Sequence, residues 1–512
     1  MNGKRITRRG ILGGFAVGFG AALLAACSSA APASPTAAPA AAPTTAAAAA
    51  APTTAPTTAA AAAPTAAPTK APAAAPTTAP AAAPTTAPAA QAAPAPGAAA
   101  TVVVWAGSMA AADPTTPGGK WAQWCIKTFQ DKNPGITIKA EDHGWDQALR
   151  TAVITAIAGG TVPEITTGEA FVHEFAALGA FAAVGDAGVN ADMFAPGPVK
   201  GSIFKGKLYG VPIFTSPFAL ETNVKMAKAA GLDPTKPPLT WTELIANSTK
   251  AYQAGQAASS KYVGFNLYGP APNRIYGAVL RTIPWVNQTG HPMGDDDGTA
   301  AMMNDPLNEP AYELTRTLFK TADPGNSFSG DEGKLYAYLW QDKAVYQASA
   351  TWNIYNAIDA NSETLYHPLP RQNAGVSGNV VLGNEVYSPL AKAKGLDAAL
   401  KFEAFMADAE TQKQVGNLLG QRLPTIKAVL TDPNFTKLPA YTTYKGKSIE
   451  PAIRAFADIL AKEDVHPVPP YAKNPDKVWI AWGDTLAKIL QGTDPIQPQL
   501  DQLQAAVVKL IS

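Results

Sequence analysis

Two cysteines and five histidines in 512 residues leave little from which to build a zinc site. Cys27 falls in an N-terminal leader-like stretch, so Cys125 is the one sulfur left for the folded part and no intrachain disulfide is expected. His173-Glu174 lacks the second histidine of a zinc motif. No Gly-x-Ser-x-Gly occurs, which removes the nucleophile elbow of α/β-hydrolases. The folded region holds no phosphate-cradling glycine motif. Charge is sparse and balanced, 40 basic against 39 acidic residues, and this excludes the basic footprint that nucleic acid needs. No catalytic group, metal or cofactor is therefore expected. Paired carboxylates for glycosidase chemistry come from distant strands, and nothing in the sequence selects such a pair.

What is present begins with an address. Lys4, Arg5, Arg8 and Arg9 form a basic region, and Ile11–Ala26 is a sixteen-residue apolar run diluted by four glycines. Such a run is short for a membrane span and suits a signal peptide. It ends in Leu24-Ala25-Ala26-Cys27, which resembles the bacterial lipobox, in which the cysteine is acylated and becomes the new N-terminus. Thr7-Arg8-Arg9-Gly10-Ile11-Leu12 resembles the twin-arginine export motif. Removing these four cations leaves 36 basic against 39 acidic residues. Residues 28–100 are almost wholly Ala, Pro and Thr, with Lys70 the one charge. A segment of this composition cannot bury a core and is expected to stay extended and solvated, reaching at most roughly 220 Å at ~3.1 Å per residue. It reads as a tether between a lipid anchor and a folded part.

The folded part opens with Thr101–Ala106, a bounded apolar run suited to a central strand. Helix Lys120–Lys132, strand Ile136–Ala140, helix Asp146–Ala158 and strand Pro163–Thr166 follow. This alternation predicts a parallel sheet with helices on both faces. Cys125 lies on the apolar side of the first helix and is expected to be a buried, inert thiol. Further on, Leu208–Phe214 predicts a buried strand, Ala219–Val224 another, and Lys225–Ala230 a helix closed at Gly231. Thr240 and Glu243 form a capping box before a further helix. Gly294-Asp295-Asp296-Asp297-Gly298 predicts a tight solvated turn, because the alternation and distal glutamate of a calcium loop are missing. Tyr262–Tyr268 and Val380–Asn384 predict strands, and Glu309–Thr321, Asp397–Asp408, Val478–Gln491 and Leu500–Ile511 predict helices.

The stretch Gly206–Ile245, with its strand, Pro217 interruption, second strand, Lys236-Pro237-Pro238-Leu239-Thr240-Trp241 and capping box, closely resembles a signature of extracellular solute-binding proteins of ABC importers, in the branch dominated by sugar binders. Trp145…Leu149…Ala158-Gly159-Gly160…Pro163-Glu164-Ile165 and Gly420-Gln421-Arg422-Leu423-Pro424-Thr425 fit the same family in order, so the resemblance covers about 101–512. It implies a periplasmic-binding-protein-like α/β fold, two lobes joined by a multi-crossing hinge with a ligand cleft between them. The expected division is 1–27 signal peptide, 28–100 linker, 101–216 with 370–423 as lobe 1, and 217–369 with 424–512 as lobe 2. It further implies a lipid-anchored extracytoplasmic binding component, not an enzyme, that closes on a sugar or oligosaccharide and delivers it to ABC permease subunits. The same scaffold suits a polyamine, glycerol phosphate or another small solute. A sensor subunit and an anchored surface glycosidase are the rivals from other classes.

Ligands of two-lobe α/β proteins sit at the carboxyl ends of strands. A sugar needs flat aromatics to stack on and carboxylate, amide or guanidinium groups for its hydroxyls. Strand ends offer Ser108, Trp145 with Asp146, Glu169, Thr215 with Ser216, Tyr268, Trp352, and Asn384 with Glu385, and Trp479 and Trp482 head a late helix. The resemblance places a stacking aromatic at Trp352, with Trp145, Trp479, Tyr268 and Glu169 behind it. Each has a plainer use. Trp145 suits capping its helix and packing on Leu149, Trp479 and Trp482 suit core staples, Glu169 suits a solvated loop, and Trp105 suits the core.

Overall fold

The computed structural model describes residues 99–512 apart from 272–274, 326–327, 329–331 and 374–379. Cys27, the signal-like stretch and the linker up to residue 98 lie outside the described residues. The chain forms strand β1 (Ala100–Trp105), helix α1 (Pro117–Lys132), β2 (Ile136–Glu141), α2 (Asp146–Gly159), β3 (Ile165–Thr167), α3 (Val172–Ala177) and β4 (Val211–Phe214). It continues as β5 (Ala219–Asn223), α4 (Trp241–Ala257), β6 (Val263–Phe265), α5 (Ile275–Asn287), α6 (Glu309–Ala322), β7 (Ala344–Ser349) and β8 (Thr364–His367). It returns through β9 (Glu385–Pro389) and α7 (Leu396–Met406), and ends in α8 (Pro475–Gln491) and α9 (Ile496–Ile511).

Local chemistry sets these boundaries. Thr116 caps α1 by accepting from the Gly119 amide, and Pro117 takes the first turn, where its missing N–H costs nothing. The apolar side of α1, Trp121, Ala122, Cys125 and Phe129, is buried. Burial pushes the Cys125 thiol far above its ordinary range, so it stays protonated. At α4 the Thr240 hydroxyl and the Glu243 carboxylate form the expected capping box.

Two sheets result. The first has the order β2-β1-β3-β9-β4, and the second β8-β5-β7-β6. The three strands expected to be parallel are so, and the later strands β9 and β4 make the complete sheet a mixed one. β1 pairs in parallel with β2 and β3, whereas β9 runs antiparallel to both β3 and β4. The reason is topological: β9 enters from the far sheet through a crossing and not through a βαβ connection. The single strand expected over Leu208–Phe214 is also divided. Lys207–Leu208 pairs with Ile203–Phe204 in a small hairpin, which spends its ladder groups locally, and only Val211–Phe214 joins the sheet. Strand Tyr262–Tyr268 shortens to Val263–Phe265, with Tyr268 beyond its end.

Each sheet has its own core. Val102, Val104, Trp121, Phe129, Ile213, Phe402 and Val415 belong to the first. Leu220, Ile283, Tyr312, Val345, Trp482 and Leu486 belong to the second. Each such side chain contributes about 1.5–3 kcal/mol on leaving water. Val380–Leu382 packs in the second core, and Ile426 and Val429 pack in the first.

Between the cores three segments run side by side. The Thr215 amide donates to the Leu423 carbonyl at 2.8 Å, and the Leu423 amide returns the bond at 3.0 Å. The Phe218 amide donates to Val381 O at 3.1 Å and the Gly383 amide to Ser216 O at 3.0 Å. This is a hinge of three crossings, tied to one another by these backbone bonds.

Candidate ligand cleft

A cavity of about 280 Å³ opens where the hinge meets the ends of both sheets. The first lobe lines it with Trp145, Leu149, Thr167, Glu169, Phe171 and Phe214. The second supplies Tyr276, Leu280, Tyr336, Trp352 and Val468, and the crossings supply Gly383, Asn384, Glu385 and Arg422.

Glu169 follows β3 directly, after Gly168, whose φ of 143° is a conformation that a side chain would strain. Its Oε2 accepts from the Asn384 amide at 2.9 Å, and its Oε1 accepts from Asn384 Nδ2 at 2.7 Å. Burial raises its pKa to about 8 against the pull of these donors. Asn384 Nδ2 also donates to Pro198 O at 3.2 Å. Asn384 Oδ1 is buried without a partner among the described residues. A buried acceptor left so is costly unless something else supplies a donor.

Beside it, Glu385 accepts a short hydrogen bond from the Ser108 hydroxyl, which is also 2.8 Å from the Tyr387 hydroxyl. Burial raises Glu385 to about 7, opposed by the Ser108 bond and the charge of Arg422. Arg422 donates from Nη1 to Ser216 Oγ at 2.8 Å. Its guanidinium lies 5.3 Å from the Phe214 ring centroid and 5.4 Å from that of Trp352, and so holds both rings by cation–π attraction. Trp352 is half-buried, edge-on to Phe218 with centroids 5.6 Å apart, and its Nε1 has no partner among the described residues. One floor therefore carries a guanidinium near a buried carboxyl, an amide oxygen and an indole N–H with no partner among the described residues, and two ring faces.

Of the residues expected at the site, Trp352, Trp145, Glu169, Asn384 and Glu385 come together on this cavity. Trp145 caps α2 without a side-chain bond and is 50% exposed at the rim. Ser108 stands one step back, on Glu385. Thr215 is buried in the hinge ladder, and Ser216 holds Arg422. Two aromatics lie in a second layer. Trp479 packs on Tyr276 with centroids 4.5 Å apart, and Tyr268 lies edge-on to Tyr336 at 5.4 Å. Arg281 sits 3.6 Å above the Tyr268 ring and 4.6 Å from that of Tyr336. Trp482 is fully buried in the core. Trp105 is half-buried, stacked on His143 at 3.9 Å.

Sequence reasoning passed over Arg422, Phe214, Tyr276 and Tyr336. The first two were within reach, since Phe214 ends the strand before one crossing and Arg422 lies in another. The tyrosines sit on helices, where spacing does not tell a cavity wall from a core. Among the described residues no cluster of three or more His, Cys, Asp or Glu suits a metal ion, and no helix is long and apolar enough to cross a membrane.

A family model described as bacterial extracellular solute-binding protein matches residues 124–443, more than half of the chain. The chain belongs to that family. A putative binding protein of Brucella abortus is 30% identical over 165 residues, 31% of this chain and 38% of that protein. This solute-binding protein thus matches well under half the length of that relative. A cyclic α-maltosyl-1,6-maltose binding protein from Arthrobacter globiformis superposes with a TM-score of 0.66 at 20% identity, over 81% of this chain and 99% of the other. UgpB of Mycobacterium tuberculosis, in complex with glycerophosphocholine, gives 0.63 at 16% identity, over 80% and 98%. Such likenesses show the fold. It is periplasmic-binding-protein-like, with two α/β lobes, a hinge crossed three times and a cleft between them.

Proposed function

We propose that this protein is the substrate-binding component of an ABC importer, that it captures a sugar or oligosaccharide by hinge closure, and that it hands the closed form to membrane permease subunits. The observation that carries this reading is the cavity floor at the hinge. There Arg422 and Glu385 line the wall with a guanidinium and a carboxyl, Asn384 Oδ1 and Trp352 Nε1 have no partner among the described residues, and Trp352, Trp145, Tyr276 and Tyr336 offer apolar faces. Polyols need this mixture, whereas a purely apolar or purely ionic ligand would leave part of it unpaired. The Arthrobacter neighbour is named for binding a cyclic maltosyl-maltose, which favours the same class. Arg422 is the one cation on the cavity wall among the described residues and already faces Glu385, so a phosphate is poorly served. Glu169 has both oxygens engaged by Asn384, which suits a staple between loops better than an acid catalyst. The moving bodies are close to 101–216 with 370–423 and 217–369 with 424–512, except that Val380–Leu382 goes with the second body and Ile426 and Val429 with the first, so that the pivots lie near Thr215–Pro217, Leu382–Asn384 and the segment after Leu423. Cys27 carries the lipid anchor on the outer face of the cell membrane, and residues 28–100 are the tether.

The test is a thermal-shift panel on the full chain with maltose, cellobiose, trehalose, spermidine and glycerophosphocholine. A ligand at a hundred times its Kd stabilises by about 2.7 kcal/mol. A shift confined to sugars and lost in Trp352→Ala is the expected result. A shift with spermidine or glycerophosphocholine alone replaces the ligand class, and hydrolysis of a bound glycoside overturns the binding-protein reading.

A further inference from the structure

Arg150 belongs to α2 of the first lobe. Its Nε donates to Glu174 Oε2 at 2.7 Å and its Nη2 to Glu174 Oε1 at 2.6 Å, a bidentate pair within that lobe. The same Nη2 lies 3.1 Å from Asp476 Oδ1, an ion pair by distance in which that oxygen accepts no hydrogen bond among the described residues. Asp476 is the second residue of α8, and α8 packs in the second core through Val478, Trp479 and Trp482. The side chains of Arg150, Glu174 and Asp476 are only 9%, 7% and 15% exposed, so the cross-lobe contact is shielded from water and from salt.

From this we infer that the Arg150–Asp476 ion pair is a latch between the lobes that holds the closed arrangement, resting on the hinge-closure reading above. Three features make it a latch and not a fixed brace. Arg150 keeps its charge and aim in either arrangement, because its pair with Glu174 is complete without the other lobe. Asp476 sits in the first turn of α8, where the free amides and dipole of the helix favour an acid, so it is not stranded when the lobes part. The ion pair also lies behind both walls of the cleft. The Arg150 guanidinium is 5.9 Å from the ring of Phe171, which lines the cavity. Three residues from Asp476 along the helix side, Trp479 backs Tyr276, another lining residue. Filling the cavity and making the ion pair therefore position the same two walls. A second cross-lobe tie, the Lys205 amide donating to Asp297 Oδ1 at 2.8 Å, is exposed and uncharged on its donor side.

The experiment measures lobe separation in the full chain by pulsed electron–electron distance spectroscopy. Spin labels are placed at Lys127→Cys on α1 and Lys250→Cys on α4, in a Cys27→Ser background. Asp476→Asn is expected to lower the ratio of short-distance to long-distance populations by about five- to tenfold, with Asp476→Glu restoring most of it. The melting temperature of Asp476→Asn stays close to that of the parent, which a merely structural role would not allow. Arg150→Met, which also leaves Glu174 unpaired, is the harsher companion. A single long-distance population in the parent, or an unchanged ratio in Asp476→Asn, overturns the latch. Neither result touches the choice of ligand, which the thermal-shift panel measures separately.

Discussion

Gly383 lies against the ring of Trp352 so closely that a Cβ there would fall 2.7 Å from Cζ3 and 3.2 Å from Cη2. The hinge strand is thus the surface on which the principal cavity aromatic rests. Its own amide is committed to Ser216 O at 3.0 Å, so the strand cannot simply retreat.

The first prediction follows. In Gly383→Ala the indole has to move, away from Arg422 and into the space that a ligand would take. Sugar affinity is expected to fall at least about tenfold, while overpacking costs about 1–3 kcal/mol of stability. Titration calorimetry with the sugar that gives the largest thermal shift checks it. Unchanged affinity would mean that Trp352 does not set the site.

Trp145 and Trp479 separate two uses of one residue type. Trp145 is 50% exposed at the cleft rim, so Trp145→Ala is expected to change stability by no more than about 0.5 kcal/mol and to weaken sugar binding. Trp479 is 3% exposed between Tyr276 and Trp482, and Trp479→Ala is expected to cost about 3–5 kcal/mol in urea denaturation. If Trp145→Ala binds as tightly as the parent, its role is the plainer one of starting α2.

These two tryptophans also show what was legible in the sequence and what was not. Periodicity and caps located α1, α2, α4 and α8 because those signals are local. Strand ends named Glu169, Asn384 and Glu385 because the topology of a two-lobe α/β chain delivers strand ends to one place. The direction of β9 was not legible, since it depends on a crossing from the other sheet. Nor was the layering of Trp479 behind Tyr276, because a helix with tryptophans three apart has the same pattern facing a core or a cavity. Arg422 was hidden differently. A lone arginine in a loop carries no pattern, and its importance comes from Phe214, Ser216 and Trp352, which reach it from two segments distant in sequence.

The last prediction concerns a carboxyl outside the cleft. Glu403 is fully buried in α7 of the first lobe, with neither oxygen engaged by a side chain, and burial pushes its pKa well above the ordinary carboxylate range. The native protein thus holds a proton there that the unfolded chain gives up at ordinary carboxylate pH. Where the native state binds more protons, stability falls as pH rises. The contribution of Glu403 is present below its unfolded pKa and is lost as pH climbs toward the native one. Glu385 and Glu169, raised to about 7 and about 8, add slopes of the same sign over the range from ordinary carboxylate pH to those values. Glu403→Gln keeps the shape and removes the proton exchange, so it is expected to match the parent near pH 5 and to be the more stable at pH 8. Urea denaturation across that range measures both slopes. Parallel curves would mean that the carboxyl is ionised in the native core and paired with a group that compensates its charge.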